Sequence, residues 1–158
     1  ISKTHSEEIK AIETELEEAR DILADDLIVG DKTSKAVRRL LNKLGVAHWE
    51  CDSSGKLIYT NGAWLDMFGV REDQVLGEAW VSRIHEDDKD NLLVKWYSKV
   101  QDQSDSAALD FRIIHGVTKE VIKVRSVFVI IYNKMGETIK IIGVSVNLDK
   151  GLTLHSNE

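Results

Sequence analysis

The stretches AALDFRIIH (residues 107–115), EVIKVRSVFVIIY (120–132) and TIKIIGVSVNL (138–148) decide the fold of this chain. Each is rich in isoleucine and valine, and glycine-containing turns separate them at His115-Gly116 and at residues 133–136. β-Branched residues favour strands, and short turns of this kind join strands that run antiparallel. We therefore predict three antiparallel strands in the C-terminal part of the chain.

Two shorter strands and a series of short helices are predicted upstream. Val46–Asp52 and Leu57–Thr60 flank a Ser-Ser-Gly turn and form a predicted hairpin. Residues 61–69 predict a short helix that an asparagine caps and a glycine ends, and residues 86–100 predict a longer helix. This order indicates an α+β fold, in which a five-stranded antiparallel sheet carries helices on one face.

His85 stands immediately before the longer predicted helix. Asp88, three residues later, can reach back to the amide or imidazole of His85 in the manner of a capping box. The acidic first turn of that helix also opposes the positive end of its dipole. We interpret His85 and Asp88, together with the capping residue Asn61, as structural; a catalytic or metal-binding role is the alternative for His85.

Residues 6–28 contain no glycine, proline or aromatic residue and predict a helix. Its apolar residues follow one another in steps of three and four and form a narrow seam: Ile9, Ile12, Leu16, Ala19 and Leu23. Two to three heptads of this kind favour a coiled coil that joins two chains, and a lone helix lying on the domain is the alternative. A second, basic helix is predicted at residues 33–44, where it should dock against the sheet domain.

The composition of the chain limits the kinds of function that it can have. The chain has 158 residues, of which 42% are hydrophobic and 30% charged, values typical of one globular domain with an appendage. A formal net charge of −6 argues against nucleic acid as a partner. No apolar run approaches the roughly 20 residues that span a bilayer, so we predict no membrane contact. The lone Cys51 excludes an internal disulfide, and we place the protein in the cytoplasm.

Seven short pieces in this order resemble the motifs of PAS domains, particularly of the PAS-3 type. They are Trp49 to Leu57, Tyr59-Thr60-Asn61 with the helix Ala63 to Phe68, Val75-Leu76-Gly77, Trp80, Ile84 to Asp88, Phe111 to Gly116, and Gly143 to Asp149. The resemblance divides the chain into an N-terminal helical segment (1–44), a PAS domain (45–149) and a tail (150–158). The chain begins at Ile1 rather than Met, so we interpret it as a segment of a longer protein.

The resemblance implies an apolar interior between sheet and helices, which could hold a small apolar ligand. Strand alternation and the helix pattern supply the candidate lining residues: Trp49, Cys51, Phe68, Phe111, Val124, Ser126, Phe128 and Ser145. Ser126 or Ser145 would orient the ligand with its hydroxyl group. The alternative interpretation is that these side chains simply fill the core.

Catalytic and cofactor signatures are missing from the sequence. It has no glycine-rich phosphate loop, no Gly-x-Ser-x-Gly and no His-Glu-x-x-His, so we predict neither an enzyme nor a metal site. Flavin-binding relatives carry their cysteine on a helix, whereas Cys51 lies in a strand. Haem-binding relatives usually offer a histidine from the longer helix, and residues 86–100 contain none. We predict no cofactor.

These features together predict a sensory and dimerisation module of a larger signal-transduction protein. Such a module would act as a homodimer and transmit the state of a ligand or partner through its flanking helices. A structural protein–protein interaction module without ligand is the alternative, and a haem or flavin sensor of redox state or gas is the second alternative. The sequence names neither the ligand nor the output domain.

Overall fold

The computed structural model describes residues 5–16, 18, 32–103 and 106–150. Its strands are β1 (Ala47–Asp52), β2 (Leu57–Thr60), β3 (Ser106–Ile114), β4 (Val121–Tyr132) and β5 (Thr138–Asn147). Its helices are α1 (residues 5–16), α2 (Lys32–Leu44), α3 (Gly62–Phe68) and α4 (Glu86–Asp102), with 3₁₀ helices at Glu72–Gln74 and Ala79–Arg83. All five predicted strands are present, with ends within two residues of those expected from the sequence.

The strands form one sheet in the order β2-β1-β5-β4-β3, and every neighbouring pair is antiparallel. The last strand thus lies in the middle, between the first strand and the fourth. The connection from β2 to β3 contains α3, α4 and both 3₁₀ helices. The predicted fold class, a five-stranded antiparallel sheet with helices on one face, is confirmed.

Strand alternation divides the sheet into a buried inner face and an outer face. In β4, Val124, Phe128 and Ile130 are at most 4% exposed, whereas Val127 and Val129 on the other face are about 40% exposed. The inner side chains pack with α3, α4 and β1 in one hydrophobic core. On the outer face α2 contacts β1, so the described part of the chain leaves the middle of β4 partly open to solvent.

Asn61 and Gly69 begin and end α3 as the sequence predicts. The Asn61 Oδ1 accepts hydrogen bonds from the backbone N–H of Trp64, at 3.0 Å, and of His48, at 2.9 Å. Its Nδ2 donates to the Val46 carbonyl at 2.7 Å. Gly69 adopts the left-handed conformation (φ 68°) that usually closes a helix. Asn61 therefore joins α3 to β1 as well as capping the helix.

α4 is longer than predicted and ends at Asp102 rather than at position 100. Gln103 follows it in the left-handed conformation (φ 52°) and donates its N–H to the carbonyls of Lys99 and Val100. Glycine is the usual residue at such a position. The sequence has glutamine there, so no local signal marked the end of this helix.

The helices before the sheet expose apolar side chains. Ile9, Ile12 and Leu16 of α1 are 56–65% exposed, and Leu40 of α2 is 57% exposed. The other predicted seam residues, Ala19 and Leu23, lie outside the described residues. The coiled coil stays a prediction. Among the described residues, no helix combines the length and apolarity that crossing a bilayer requires.

Candidate functional site

A small cavity of about 60 Å³ lies between the inner face of the sheet and the helices. Its walls come from the strands β1, β2, β3 and β4, from α3 and α4, and from the 3₁₀ helix Ala79–Arg83. The lining residues are Trp49, Cys51, Leu57, Trp64, Phe68, Trp80, Leu92, Trp96, Leu109, Phe111, Ser126 and Phe128. The lining is almost entirely apolar, which suits a site that excludes charged molecules.

Six of the eight predicted lining residues border this cavity: Trp49, Cys51, Phe68, Phe111, Ser126 and Phe128. Val124 and Ser145 are buried in the core and do not line it. Sequence reasoning missed most of the helical walls, notably Trp64, Trp80 and Trp96. Periodicity shows that a helical residue is buried but not which cavity it borders, so these tryptophans could not be assigned to the cavity from the sequence.

Trp96 of α4 stands at the centre of an aromatic cluster. Its ring lies edge-on to Phe128 at 5.0 Å, to Trp49 at 5.7 Å and to Trp80 at 6.3 Å between ring centroids. Edge-to-face contacts of this length are favourable and fix ring orientation. The aromatic side chains therefore occupy most of the space between sheet and helices, and only the small cavity remains.

The polar atoms around the cavity differ in how well they are satisfied. The hydroxyls of Ser126 and Ser145, which are paired across β4 and β5, hydrogen-bond to each other at 2.8 Å. The indole N–H groups of Trp49 and Trp96 are buried, and neither has a hydrogen-bond partner within the described part of the chain. Unpaired buried donors cost roughly 1–3 kcal/mol each, so both indoles would gain from an acceptor.

Cys51 is buried in the cavity wall, with 3% of its surface exposed. Burial raises the pKa of its thiol well above the ordinary value, and the neighbouring carboxylates of Asp52 and Glu50 raise it further. The thiolate is the reactive form of cysteine. Cys51 therefore behaves as a small apolar residue of the cavity wall and not as a nucleophile.

A cluster of charged residues, called here the Glu50 cluster, occupies the opposite face of β1. Glu50 is 2% exposed and accepts two hydrogen bonds from Arg38 of α2, at 2.9 and 2.7 Å. It also pairs with His48 Nε2 at 2.7 Å and with Lys140 Nζ of β5 at 2.6 Å. Arg38 further stacks on the ring of Tyr59, 3.9 Å from its centroid. The cluster joins α2 to β1, β2 and β5.

The sequence analysis did not find this cluster. His48 is a single histidine on a strand, without the spacing pattern of a metal site, so nothing in the local sequence marks it. Glu50 and Lys140 are 90 positions apart in sequence and meet only because β1 and β5 are paired, with Glu50 opposite Ile142. Although burial, the largest influence, raises the pKa of Glu50, hydrogen bonds from Arg38, His48 and Lys140 outweigh it and lower that pKa well below its ordinary value.

His85 and Asp88 are structural neighbours but do not form the expected capping box. His85 caps α4 through Nδ1, which accepts the N–H of Asp87 at 3.1 Å. The Asp88 carboxylate turns instead to Arg112 of β3, bonding its backbone N–H at 2.8 Å and its guanidinium at 3.0 and 2.7 Å. A bidentate guanidinium is a stronger partner than a backbone amide. Asp88 therefore fastens α4 to the edge of the sheet.

Comparison with known proteins agrees with this architecture. The model of the PAS fold family matches residues 57–145, which is more than half of the chain. None of the curated proteins matches the chain. The similar solved structures are 13–20% identical to it in sequence, so they show the fold alone.

Three of those structures serve as examples. The PAS domain of a Colwellia psychrerythraea protein is 18% identical with a TM-score of 0.62, covering 75% of this chain and 99% of that one. The N-terminal domain of a diguanylate cyclase with PAS/PAC sensor from Marinobacter aquaeolei is 16% identical with a TM-score of 0.59, covering 65% and 94%. A sensory box histidine kinase/response regulator from Burkholderia thailandensis is 15% identical with a TM-score of 0.53, covering 72% and 85%.

Two of these neighbours are therefore signalling proteins, one named as a cyclase and the other as a kinase. The sheet order, the helices gathered between β2 and β3, and the family match over residues 57–145 agree with one another. From the sheet order, the position of the helices and the family match together, we conclude that this chain belongs to the PAS fold family.

Proposed function

We propose that residues 45–149 are the sensory unit of a larger signal-transduction protein, and that the helices of residues 1–44 carry its state to an output domain. The observation that supports this best is the division of β1 between two faces. Trp49 and Cys51 line the cavity, while His48 and Glu50 on the same strand hold α2. A displacement of β1 caused by a change in the cavity would therefore reach α2 through a single strand.

The occupant that fits the cavity is small and apolar. A cavity of about 60 Å³ accommodates about four water-sized atoms. Because small ligands gain at most about 1.5 kcal/mol per heavy atom, four atoms give at most about 6 kcal/mol, which corresponds to a Kd no tighter than about 40 µM. Flavin and haem need the several hundred Å³ typical of cofactor sites. The haem or flavin sensor would thus require the core to open.

The ligand-free interaction module remains the second candidate, because the small cavity also favours it. Xenon separates the two candidates, since it enters dry apolar cavities of this kind without hydrogen bonding. A ligand changes a conformational equilibrium only through different affinities for the two states. For a sensor, we expect xenon under pressure to change the hydrogen-exchange protection of α2 amides.

The experiment distinguishes the sensor from the structural module when xenon binding is measured at the same time by ¹²⁹Xe NMR. Xenon that binds and alters α2 protection supports the sensor. Binding without any change at α2, or no binding at all, supports the structural module. Native mass spectrometry after gentle purification is an independent check, because a retained small molecule would count against the structural module.

The homodimer that we propose forms through the apolar seam of α1. Ile9, Ile12 and Leu16 are exposed in a single chain, and burying each would gain roughly 1.5–3 kcal/mol. Light scattering should give a dimer mass for the intact chain and a monomer mass for a chain that begins at Gly45. Equal monomer masses for both would remove the role given to α1.

A pair of lysine substitutions tests the seam itself. Leu16→Lys places a charge in the seam and should produce the monomer. Thr14→Lys adds the same charge on the other side of the same helix and should leave the dimer intact. A dimer with Leu16→Lys, or a monomer with both variants, would contradict association through this seam.

A further inference from the structure

The side chains around the cavity carry hydrogen-bond donors and almost no acceptors. Of its twelve lining residues, four are tryptophans, six are leucine or phenylalanine, and the other two are Cys51 and Ser126. An indole N–H only donates, and a thiol is weak in both roles. The hydroxyl of Ser126 is therefore the one ordinary acceptor that the lining side chains offer.

Two of the indole donors are buried and unpaired. Trp49 is 6% exposed and Trp96 is 4% exposed, and the Nε1 of neither has a partner among the described residues. Both rings contact Phe128, at 5.8 and 5.0 Å between centroids. Phe128 and Ser126 are two positions apart on the inner face of β4. The two indoles and Ser126 therefore lie around the same part of the cavity.

The serine pair leaves a third donor. Ser126 and Ser145 each carry one hydroxyl hydrogen, and the bond of 2.8 Å between them uses only one of the two. Neither hydroxyl has another hydrogen-bond partner within the described part of the chain. Ser126 borders the cavity, whereas Ser145 does not. When Ser145 donates to Ser126, the hydrogen of Ser126 is left for an acceptor inside the cavity.

We propose that the cavity takes a small neutral molecule that accepts hydrogen bonds and donates none, such as a ketone, an aldehyde, an ether or a nitrile. The inference rests on the proposed function, in which the cavity holds a ligand, and names the class of that ligand. The apolar part of the molecule packs against the leucine and phenylalanine side chains. Its acceptor atom receives the indole hydrogen of Trp49 or Trp96, with Ser126 as a second donor.

Other small molecules suit these walls less well. An anion also accepts hydrogen bonds, but the lining residues include no cation, and burying an unpaired charge costs far more than burying a neutral group. An alcohol or an amine brings hydrogens of its own, for which the lining side chains offer only the Ser126 oxygen. A hydrocarbon leaves all three donors unpaired. A neutral acceptor pairs them without adding an unpaired group.

Acetone and isobutene are a matched pair of probes. Both have four non-hydrogen atoms and the same planar, branched shape, and only acetone has an acceptor. Because water solvates acetone better than isobutene, the two probes are compared between variants of the full chain. The measured quantity, called here the acetone preference, is the Kd of isobutene divided by the Kd of acetone. Both constants come from the displacement of xenon, followed by ¹²⁹Xe NMR.

Three variants each remove one donor: Trp49→Phe, Trp96→Phe and Ser126→Ala. At least one of the two indole variants should lower the acetone preference by about threefold to tenfold, which corresponds to one net hydrogen bond. Ser126→Ala should lower it further when combined with that variant. Thr60→Val is the control, because the Thr60 hydroxyl is also buried and unpaired but Thr60 does not border the cavity. It should leave the acetone preference unchanged.

An acetone preference that neither indole variant lowers, or that Thr60→Val lowers equally, would overturn the inference. The binding of xenon and isobutene to the unaltered chain separates this failure from a failure of the proposed function. A cavity that binds both without dependence on the donors still holds a ligand, but not one of the proposed class. A cavity that binds none of the probes is part of a filled core, which overturns the inference and the proposed function together.

The unaltered chain provides a test that needs no substitution. Each indole N–H gives its own signal in a ¹H–¹⁵N spectrum, and a hydrogen bond to oxygen moves the proton signal to higher frequency. Acetone should move the signal of Trp49 or Trp96 in this direction, and isobutene should not. If acetone displaces xenon and moves neither signal, the indoles do not hold the acceptor and the inference is wrong.

Discussion

Replacing Gly143 with alanine should strongly destabilise the domain. An ideal Cβ at this position of β5 would lie 2.2 Å from Cζ2 and 2.3 Å from Cε2 of the Trp49 ring, which covers the glycine. Carbon atoms normally approach to about 3.5–4.0 Å, so the indole would have to move by more than about 1 Å. Trp96 and Phe128 contact that ring at 5.7 and 5.8 Å between centroids and leave little room.

Overpacking of a closed core costs about 1–3 kcal/mol and occasionally more. Because the neighbours of Trp49 are themselves large aromatic rings, we expect Gly143→Ala to lower the free energy of unfolding by at least about 2 kcal/mol. For a domain of about 100 residues this corresponds to a fall in Tm of about 8–16 °C. Urea unfolding followed by tryptophan fluorescence measures the free energy, and calorimetry measures the Tm.

Gly62→Ala is the matched control, because a Cβ there has no atom within 4 Å. It lies at the start of α3, where alanine favours the helix, so stability should stay equal or rise slightly. If the free energy of unfolding of Gly143→Ala lies within about 0.5 kcal/mol of that of the unaltered chain, Trp49 does not pack closely on β5, and the cavity wall described above is refuted with it.

Three further predictions concern the polar contacts around the core. Asn61→Ala should cost at least about 2 kcal/mol in urea unfolding, since it removes the cap of α3 and leaves buried backbone groups unpaired. The hydrogen bond from Arg112 lowers the pKa of Asp88 to about 2. The ionised Asp88 therefore stabilises the folded domain fully above its unfolded pKa of about 3.9, and this stabilisation is lost as the pH falls toward 2. Asp88→Asn should flatten the loss of stability that is measured between about pH 5 and pH 2.5. Ser126→Ala and Ser145→Ala should each cost about 1–3 kcal/mol, and the double variant should cost less than their sum, because each single change strands the other hydroxyl. If the losses of the two serine variants simply add in the double variant, the two hydroxyls are not coupled. If stability falls with pH as steeply in Asp88→Asn as in the unaltered chain, the Asp88–Arg112 contact contributes little.

The fold could be predicted from the sequence because its signals are local. Alternating isoleucine and valine with glycine turns define the three long strands, and Asn61 and Gly69 mark both ends of α3 in the residues themselves. α4 shows the limit of such signals, since its end at Gln103 uses the left-handed conformation without glycine. Where the chain adopts a rare backbone conformation with an ordinary residue, the boundary is visible only in three dimensions.

Only half of the residues that line the cavity could be predicted from the sequence. Alternation places Trp49, Cys51, Ser126 and Phe128 on the inner face, because period two in a strand separates the faces without further information. The helical walls depend on where α4 crosses the sheet, which strand alternation does not show. Ser145 is directly opposite Ser126 in the β4–β5 register and hydrogen-bonds to its hydroxyl, yet only Ser126 borders the cavity.

The Glu50 cluster shows why a buried network of charged residues cannot be found from sequence patterns. A charged residue in a strand is normally interpreted as solvent-facing, and by that rule Glu50 should be exposed. It is buried because α2 covers it and Lys140 reaches it from β5. Buried ion pairs add little net stability, and an apolar replacement of similar shape often does as well. The cluster joins three elements, because Arg38 of α2 and Lys140 of β5 bind the same carboxylate of β1. An apolar contact at the same place would join the same elements without depending on charge, so the cluster fixes which side chains must meet and not only that the elements pack.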